Sequence, residues 1–203
     1  MYRPLFFLAT CVFWLLFRVV FRWRVIGLEN IPAGGAIIAP NHQSIWDIPM
    51  IGLALRQRRT HFMAKSELFH NPIFGWAIRT LLAFPVKRGA PDRSSLRHAI
   101  DVLTQGDLVV IFPEGTRSKT GELGAPEGGL SLIAAKADVP IVPVGIVGTR
   151  YIFSRQCFLP QVKIHFGTPV VYRKVDPITG EKPSDIGIQV MQSIRELVHE
   201  GIQ

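Results

Sequence analysis

Cysteine is scarce in this 203-residue chain, with two in all. Cys11 and Cys157 stand far apart in unlike surroundings, and no Cys-x-x-Cys occurs. That excludes a disulfide framework and a cysteine zinc site, and it fits a reducing compartment. His61, His70, His98, His165 and His199 show no ligand spacing, so they read as structural or surface residues and no metal is expected. Acids are sparse in the first half. Residues 1–100 hold 13 Lys/Arg against 4 Asp/Glu, while residues 101–203 hold 10 against 11. A basic half calls for an anionic partner. Helix-turn-helix, zinc-finger and RNA-recognition signatures are all missing, which argues against nucleic acid. No Gly-x-Ser-x-Gly elbow occurs, so hydrolysis through Ser44 or Cys157 lacks its usual scaffold. Internal repeats, low-complexity tracts and linkers are absent as well.

What is abundant is apolar surface: 48% of residues are hydrophobic and 19% charged, a surplus that points to lipid. Residues 5–17 are almost wholly apolar, Arg18 interrupts them, and residues 19–21 resume the run. As a helix, residues 5–21 extend about 25 Å, short of a hydrocarbon core of about 30 Å. Arg3, Arg18, Arg22 and Arg24 flank the run, with Trp14 and Trp23 near its end. This pattern predicts a helix lying in a membrane interface, with a tilted span or a buried core helix as alternatives. Each basic residue near an anionic surface adds about 1 kcal/mol.

Further along, short apolar runs alternate with helical patterns. Strands are expected at 24–28, 36–39, 62–64, 83–86, 108–112, 139–147 and 161–166. Helices are expected at 48–55, 72–82, 91–105, 130–137 and 184–200. Such alternation predicts an α/β fold, with a mixed, largely parallel central sheet covered by helices on both faces. The apolar side chains of 72–82 read as core or as lining of an acyl groove. Arg56, Arg58 and Arg59 read as cations closing the end of a helix.

Two stretches carry chemistry. Asn41-His42-Gln43-Ser44-Ile45-Trp46-Asp47 follows the strand at 36–39, where Pro40 ends the ladder. Ser44 and Asp47 have the Ser-x-x-acid spacing of a helix start. His42 then sits in a strand-to-helix turn and Asp47 in the helix's first turn. A neutral imidazole can accept a proton from a substrate hydroxyl, and a carboxylate on its other nitrogen fixes the tautomer. The same pair is also compatible with a purely structural ion pair. In Phe112-Pro113-Glu114-Gly115-Thr116-Arg117-Ser118 a Gly-centred turn holds an acid, hydroxyls and an arginine. Arg117 offers a bidentate fork to phosphate, and backbone N–H groups around Gly115 can add to it. A solvated polar turn is the plainer alternative.

Together these stretches resemble the glycerophospholipid acyltransferase family, of the 1-acylglycerol-3-phosphate acyltransferase type. Residues 41–47 are similar to its Asn-His-x-Ser-x-x-Asp block, and residues 112–118 match its third block completely. Val139-Pro140-Ile141-Val142-Pro143-Val144 resembles its fourth. Phe84-Pro85-Val86-Lys87-Arg88-Gly89 resembles its second, with either Lys87 or Arg88 in the arginine slot. The family's Phe-Lys-x-Gly is replaced here by Ala125-Pro126-Glu127-Gly128-Gly129, so the lysine is absent.

The resemblance, which runs from about residue 25 to about residue 167, implies transfer of an acyl group to the sn-2 hydroxyl of lysophosphatidic acid. It implies His42 and Asp47 as the catalytic pair. Lys87, Arg88, Glu114, Gly115, Thr116 and Arg117 become the substrate-binding residues. The acyl donor is acyl-CoA or acyl-carrier protein, with no bound cofactor. Residues 1–23 form the membrane-associating helix, residues 24–203 a single acyltransferase domain, and the expected location is the cytoplasmic face of a membrane. Glycerol 3-phosphate or another lysophospholipid as acceptor, and a non-catalytic membrane-binding module, are the competing readings.

Overall fold

The computed structural model describes residues 3–87, 92–118, 120–172 and 186–202. Among these, seven strands form one sheet: β1 (Arg24–Ile26), β2 (Ala36–Pro40), β3 (Thr60–Lys65), β4 (Ala83–Val86), β5 (Leu108–Val110), β6 (Ile141–Val147) and β7 (Lys163–Phe166). Their order is β1-β7-β6-β2-β5-β3-β4. β6, β2, β5, β3 and β4 run parallel. β7 is antiparallel to β6, and β1 follows β7 in the reversed direction. The sheet is therefore mixed and mostly parallel, as the alternating pattern predicts.

Side-chain alternation explains why the central strands are apolar throughout. Ala36 and Ile38 face one core cluster, Ile37 and Ala39 the other, and all four are fully buried. Strands covered on both faces need apolar residues at every position. Burying each Ile contributes roughly 1.5–3 kcal/mol.

Helices α1 (Arg3–Val20) and α2 (Asp47–Ala54) supply Phe17, Met50 and Ile51 to the first cluster. Helices α4 (Arg93–Thr104), α5 (Gly129–Ala137) and α6 (Ile186–Ile202) supply Ala99, Leu103, Ile133, Val190 and Ile194 to the second. α3 (Pro72–Thr80) links β3 to β4. The β2–α2–β3 and β3–α3–β4 connections step in one direction along the sheet, and β4–α4–β5 and β5–α5–β6 step back. Right-handed crossovers therefore place α2 and α3 on one layer and α4 and α5 on the other.

Three expectations change in the structure. The apolar side chains of α3 do not enter the core: Ile73 and Trp76 are 79% and 67% exposed. The helix turns its small residue inward instead, because Gly75 packs on the backbone of Phe69. The arginines after α2 do more than close a helix. Arg58 donates to the carbonyls of Pro32, Gly34 and Gly106, joining three loops, while Arg59 pairs with Asp107 and Arg56 stacks over Trp14. Lastly, the tilted span named as an alternative for the N-terminal run does not form: among the described residues no helix is long and apolar enough to cross a membrane. α1 lays Phe17 on the first cluster, its ring tilted 6.3 Å from that of Trp46, and leaves Val12, Phe13, Leu15 and Val19 exposed.

Asp92 caps α4 and closes the connection from β4. Its carboxylate accepts from Lys87 N–H, from the Ser94 and Ser95 hydroxyls and from Ser95 N–H. The Lys87 N–H first, then the serine donors, hold this carboxyl well below the usual carboxylate range. A group depressed on folding stabilises fully above its unfolded value, near about pH 4, and progressively less as pH falls toward its folded value. Asp92→Ala is therefore expected to lower stability by about 0.5–2 kcal/mol at pH 7. That difference should shrink below about pH 4 in denaturation curves. A difference independent of pH would place the effect outside the carboxylate.

Candidate active site

The carboxyl ends of the parallel strands share one edge of the sheet, and β2 is its centre. In open α/β sheets this edge, where neighbouring connections diverge, is where ligands bind. β2 ends in Pro40, and Asn41 takes over the ladder with its side chain. Its amide donates to Ile146 O at 3.0 Å and its oxygen accepts from Ile146 N at 2.7 Å. Asn41 is wholly buried, so it imitates a peptide group and pins the next residue. Sequence reading assigned it no role; its only signal is an amide directly after a strand-ending proline.

His42 is 6% exposed, and its ring stacks on Phe112 with centroids 3.9 Å apart. Its Nδ1 lies 2.8 Å from Asp47 Oδ2. Asp47 is fully buried at the first turn of α2, where the helix's partial positive charge favours a carboxylate. The same Oδ2 accepts from Gln43 N at 2.7 Å and Ser44 N at 2.8 Å. One oxygen thus shapes the 42–44 turn and orients the imidazole. Ser44 does not cap the helix as its spacing predicts. The N-cap position is Trp46, without a side-chain bond, because the Asp47 carboxylate reaches backward to the turn. A carboxylate in this position makes Nδ1 the protonated nitrogen and leaves Nε2 as the basic one. Among the described residues Nε2 has no hydrogen-bond partner.

Glu114 joins the two motifs. It is 9% exposed, and its oxygens accept from His42 N and Gly124 N, each at 2.9 Å. The turn is tied a second time by Ser118 N donating to His42 O at 2.8 Å. Glu114 therefore orders the site in place of projecting freely from it. Gly115 has φ +65°, a backbone conformation that favours glycine, and a Cβ there would push aside the Glu127 carboxylate. Its N–H donates to Phe112 O at 3.1 Å. The expected anion nest thus loses this donor to the turn itself. Thr116 and Arg117 are exposed on the same turn, beside the His42 backbone.

Lys87 is exposed at the end of β4. With Arg93, Phe112 and Gly115 it lines a cavity of about 350 Å³, walled by Met63, Leu96, Ile111, Leu130 and Ile133. Phe112 lines this cavity and stacks on the His42 ring, while His42 itself is not among the lining residues. Arg88 lies outside the described residues. His61, one of the histidines assigned to structure, bonds Asp107 at 3.2 Å, and burial pushes its imidazole down. Among the described residues no cluster of His, Cys, Asp and Glu could hold a metal ion.

Residues 22–147 match the family described as Acyltransferase. This chain belongs to that family. It is 32% identical over 168 residues to the 1-acyl-sn-glycerol-3-phosphate acyltransferase of Streptococcus pneumoniae, covering 81% of this chain and 60% of the relative. It is 37% identical over 126 residues to the Bacillus subtilis protein of the same name, covering 62% of each. The chloroplastic acyltransferase LPAT1 of Arabidopsis thaliana is 39% identical over 134 residues, 64% of this chain and 37% of the relative. The chain thus spans less than two thirds of the length of each of these three relatives. The crystal structure of the 1-acyl-sn-glycerophosphate acyltransferase PlsC from Thermotoga maritima superposes with a TM-score of 0.69 at 33% identity. The likeness covers 89% of this acyltransferase chain and 72% of that one.

Proposed function

We propose that this chain transfers a fatty acyl group from a thioester, acyl-CoA or acyl-carrier protein, to the sn-2 hydroxyl of 1-acylglycerol 3-phosphate. The observation that carries the reading is the 2.8 Å bond between His42 Nδ1 and Asp47 Oδ2, at the carboxyl edge of the central strand. The names of the relatives support the acceptor class. His42 Nε2 takes the proton of the acceptor hydroxyl as its oxygen attacks the thioester carbonyl carbon. The C–S bond then breaks as the tetrahedral intermediate collapses, and the imidazolium returns its proton to the departing thiolate. Asp47 stabilises the imidazolium throughout. No protein nucleophile is needed, because the acceptor's own oxygen attacks.

Arg117 and Lys87 supply the positive charge for the acceptor's phosphate, together with Arg88. Glu114 and Gly115 hold the shape of the turn that presents Arg117 and Thr116. The apolar wall of the adjoining cavity suits an acyl chain. Residues 24–203 act as one acyltransferase domain, and α1 lies in the interface of a membrane. Its exposed Val12, Phe13, Leu15 and Val19 support that placement, as do Arg18, Arg22 and Arg24 beside them. Lipid then delivers the acceptor from the leaflet while the donor arrives from the cytoplasmic water.

The test is release of free thiol from acyl-CoA and from acyl-carrier protein, with lysophosphatidic acid, glycerol 3-phosphate and lysophosphatidylcholine as competing acceptors. Lysophosphatidic acid should give the highest kcat/KM. Arg117→Ala is expected to raise the KM for this acceptor about 10–100-fold with little change in kcat, because a phosphate remote from the reacting carbon contributes binding common to ground and transition states. An unchanged KM would move the phosphate elsewhere.

A further inference from the structure

α3 is an amphipathic helix mounted with its apolar side outward. Ile73, Phe74 and Trp76 are 79%, 44% and 67% exposed, whereas Gly75 is buried against the Phe69 backbone. On a helix of 3.6 residues per turn, these three side chains and Ala77 fall on one continuous stripe. Leu68, on the turn before α3, is 42% exposed, and Leu81, just after it, is 50% exposed. An apolar patch of this kind on a soluble face marks a docking surface.

Two observations choose the occupant. The first is charge. On the layer that holds α1, α2 and α3, these helices and the turns beside them expose Arg18, Arg56, Lys65 and Arg79 against the acid Glu67. α3 itself carries Arg79 and no acid, and Arg79 is exposed, with its guanidinium over the Phe69 ring. Glu67 pairs with Lys65, so it does not offset the remaining cations. The second is placement. α3 shares a layer with α2, by the handedness of its crossover, and α1 packs on that same face of the sheet. The exposed stripes of α1 and α3 therefore flank the same layer, at two separate places. Cations around an apolar, Trp-bearing stripe complement an anionic bilayer, into which the ring and aliphatic chains can sink while the cations stay with the headgroups.

We infer that the outward stripe of α3, centred on Ile73 and Trp76, is a second membrane-docking surface that inserts into anionic leaflets independently of α1. Two contacts held by one rigid layer bind more strongly than either alone, because the second is made at high effective concentration. They also fix the tilt of the sheet edge that carries His42 against the leaflet, which a single helix cannot do. The inference uses the membrane placement proposed for α1, but it stands on a different helix and is tested apart from it.

The experiment compares full-length wild type, Ile73→Ser/Trp76→Ser, and Phe13→Ser/Val19→Ser for cosedimentation with two kinds of vesicle. One is a phosphatidylglycerol/phosphatidylcholine mixture, the other phosphatidylcholine alone. Thermal midpoints serve as the folding control, and they should hold, since all four side chains are exposed. The α3 variant is expected to lower partitioning onto the anionic vesicles by about tenfold or more, and wild type should prefer anionic over neutral vesicles. Trp76→Phe should measurably reduce the blue shift in tryptophan emission that vesicles induce. Wild-type partitioning in the α3 variant, with loss only in the α1 variant, would overturn the inference and leave the α1 reading standing. Loss in neither would sink both. A concentration-dependent dimer abolished by Ile73→Ser/Trp76→Ser would instead assign the stripe to a second copy and overturn the lipid reading.

Discussion

His42→Ala is expected to lower the turnover of acyl transfer by about 10²–10⁴-fold, the range of a general base removed from a positioned pair. That corresponds to about 3–5 kcal/mol of barrier. Among the described residues, the imidazole is the one group at the carboxyl end of β2 whose free nitrogen can take the acceptor's proton. Its other nitrogen is held by Asp47 at 2.8 Å. The effect should appear in kcat, and the acceptor's KM should move little, because the proton is shared only in the transition state. Alanine leaves a void beside Phe112, which stacks on the ring at 3.9 Å, so some loss of stability follows. His42→Asn separates chemistry from folding. Its amide nitrogen can stand where Nδ1 stands and still donate to Asp47, but it offers no base. Both variants should be comparably slow, with the asparagine variant closer to wild type in thermal midpoint. A folded asparagine variant within about tenfold of wild-type turnover would remove His42 from the chemistry.

Asp47→Asn should be the second largest loss, about two to four orders of magnitude in kcat. The Asp47 carboxylate fixes the tautomer, and its charge favours the imidazolium that forms as the proton moves. An amide keeps the volume and can still accept from Gln43 N and Ser44 N through its oxygen, so the turn should survive. The charge does not survive. Because Asp47 acts through His42, the double variant His42→Ala/Asp47→Asn should be no slower than His42→Ala alone. Additive losses would mean that the carboxylate does something separate. Asp47→Ala is the less informative choice, since it orphans two backbone N–H groups at a buried turn as well.

Much of this site was readable along the chain. The interval from His42 to Asp47 predicts a pair across a strand-to-helix turn, and the structure closes that pair. The apolar runs at 36–39, 108–112 and 139–147 predict strands, and β2, β5 and β6 form there; the structure alone sets them side by side. The readings that changed share a cause. Ser44 looks like a cap by spacing, yet Asp47 turns back to bond the preceding turn. Gly115 looks like an anion nest, yet its N–H closes its own turn on Phe112 O. Backbone donors are claimed by whichever acceptor the folded loop brings closest, and residue type does not name that acceptor. Glu114 is the clearest case: its partner His42 N is 72 residues away.

α3 shows the same division on a larger scale. Its residues mark an apolar helix, and nothing in the pattern says which side faces the protein. Gly75 against Phe69 settles the orientation, because only the glycine side lets the helix approach its own support. The order of residues thus specified the elements, the His–Asp pair and the acyltransferase motifs, since each depends on neighbours a few positions apart. Folding alone chose which buried donors meet which carboxylates, and which apolar stripe is left for another surface. Those outcomes depend on segments far apart in the chain competing for the same volume.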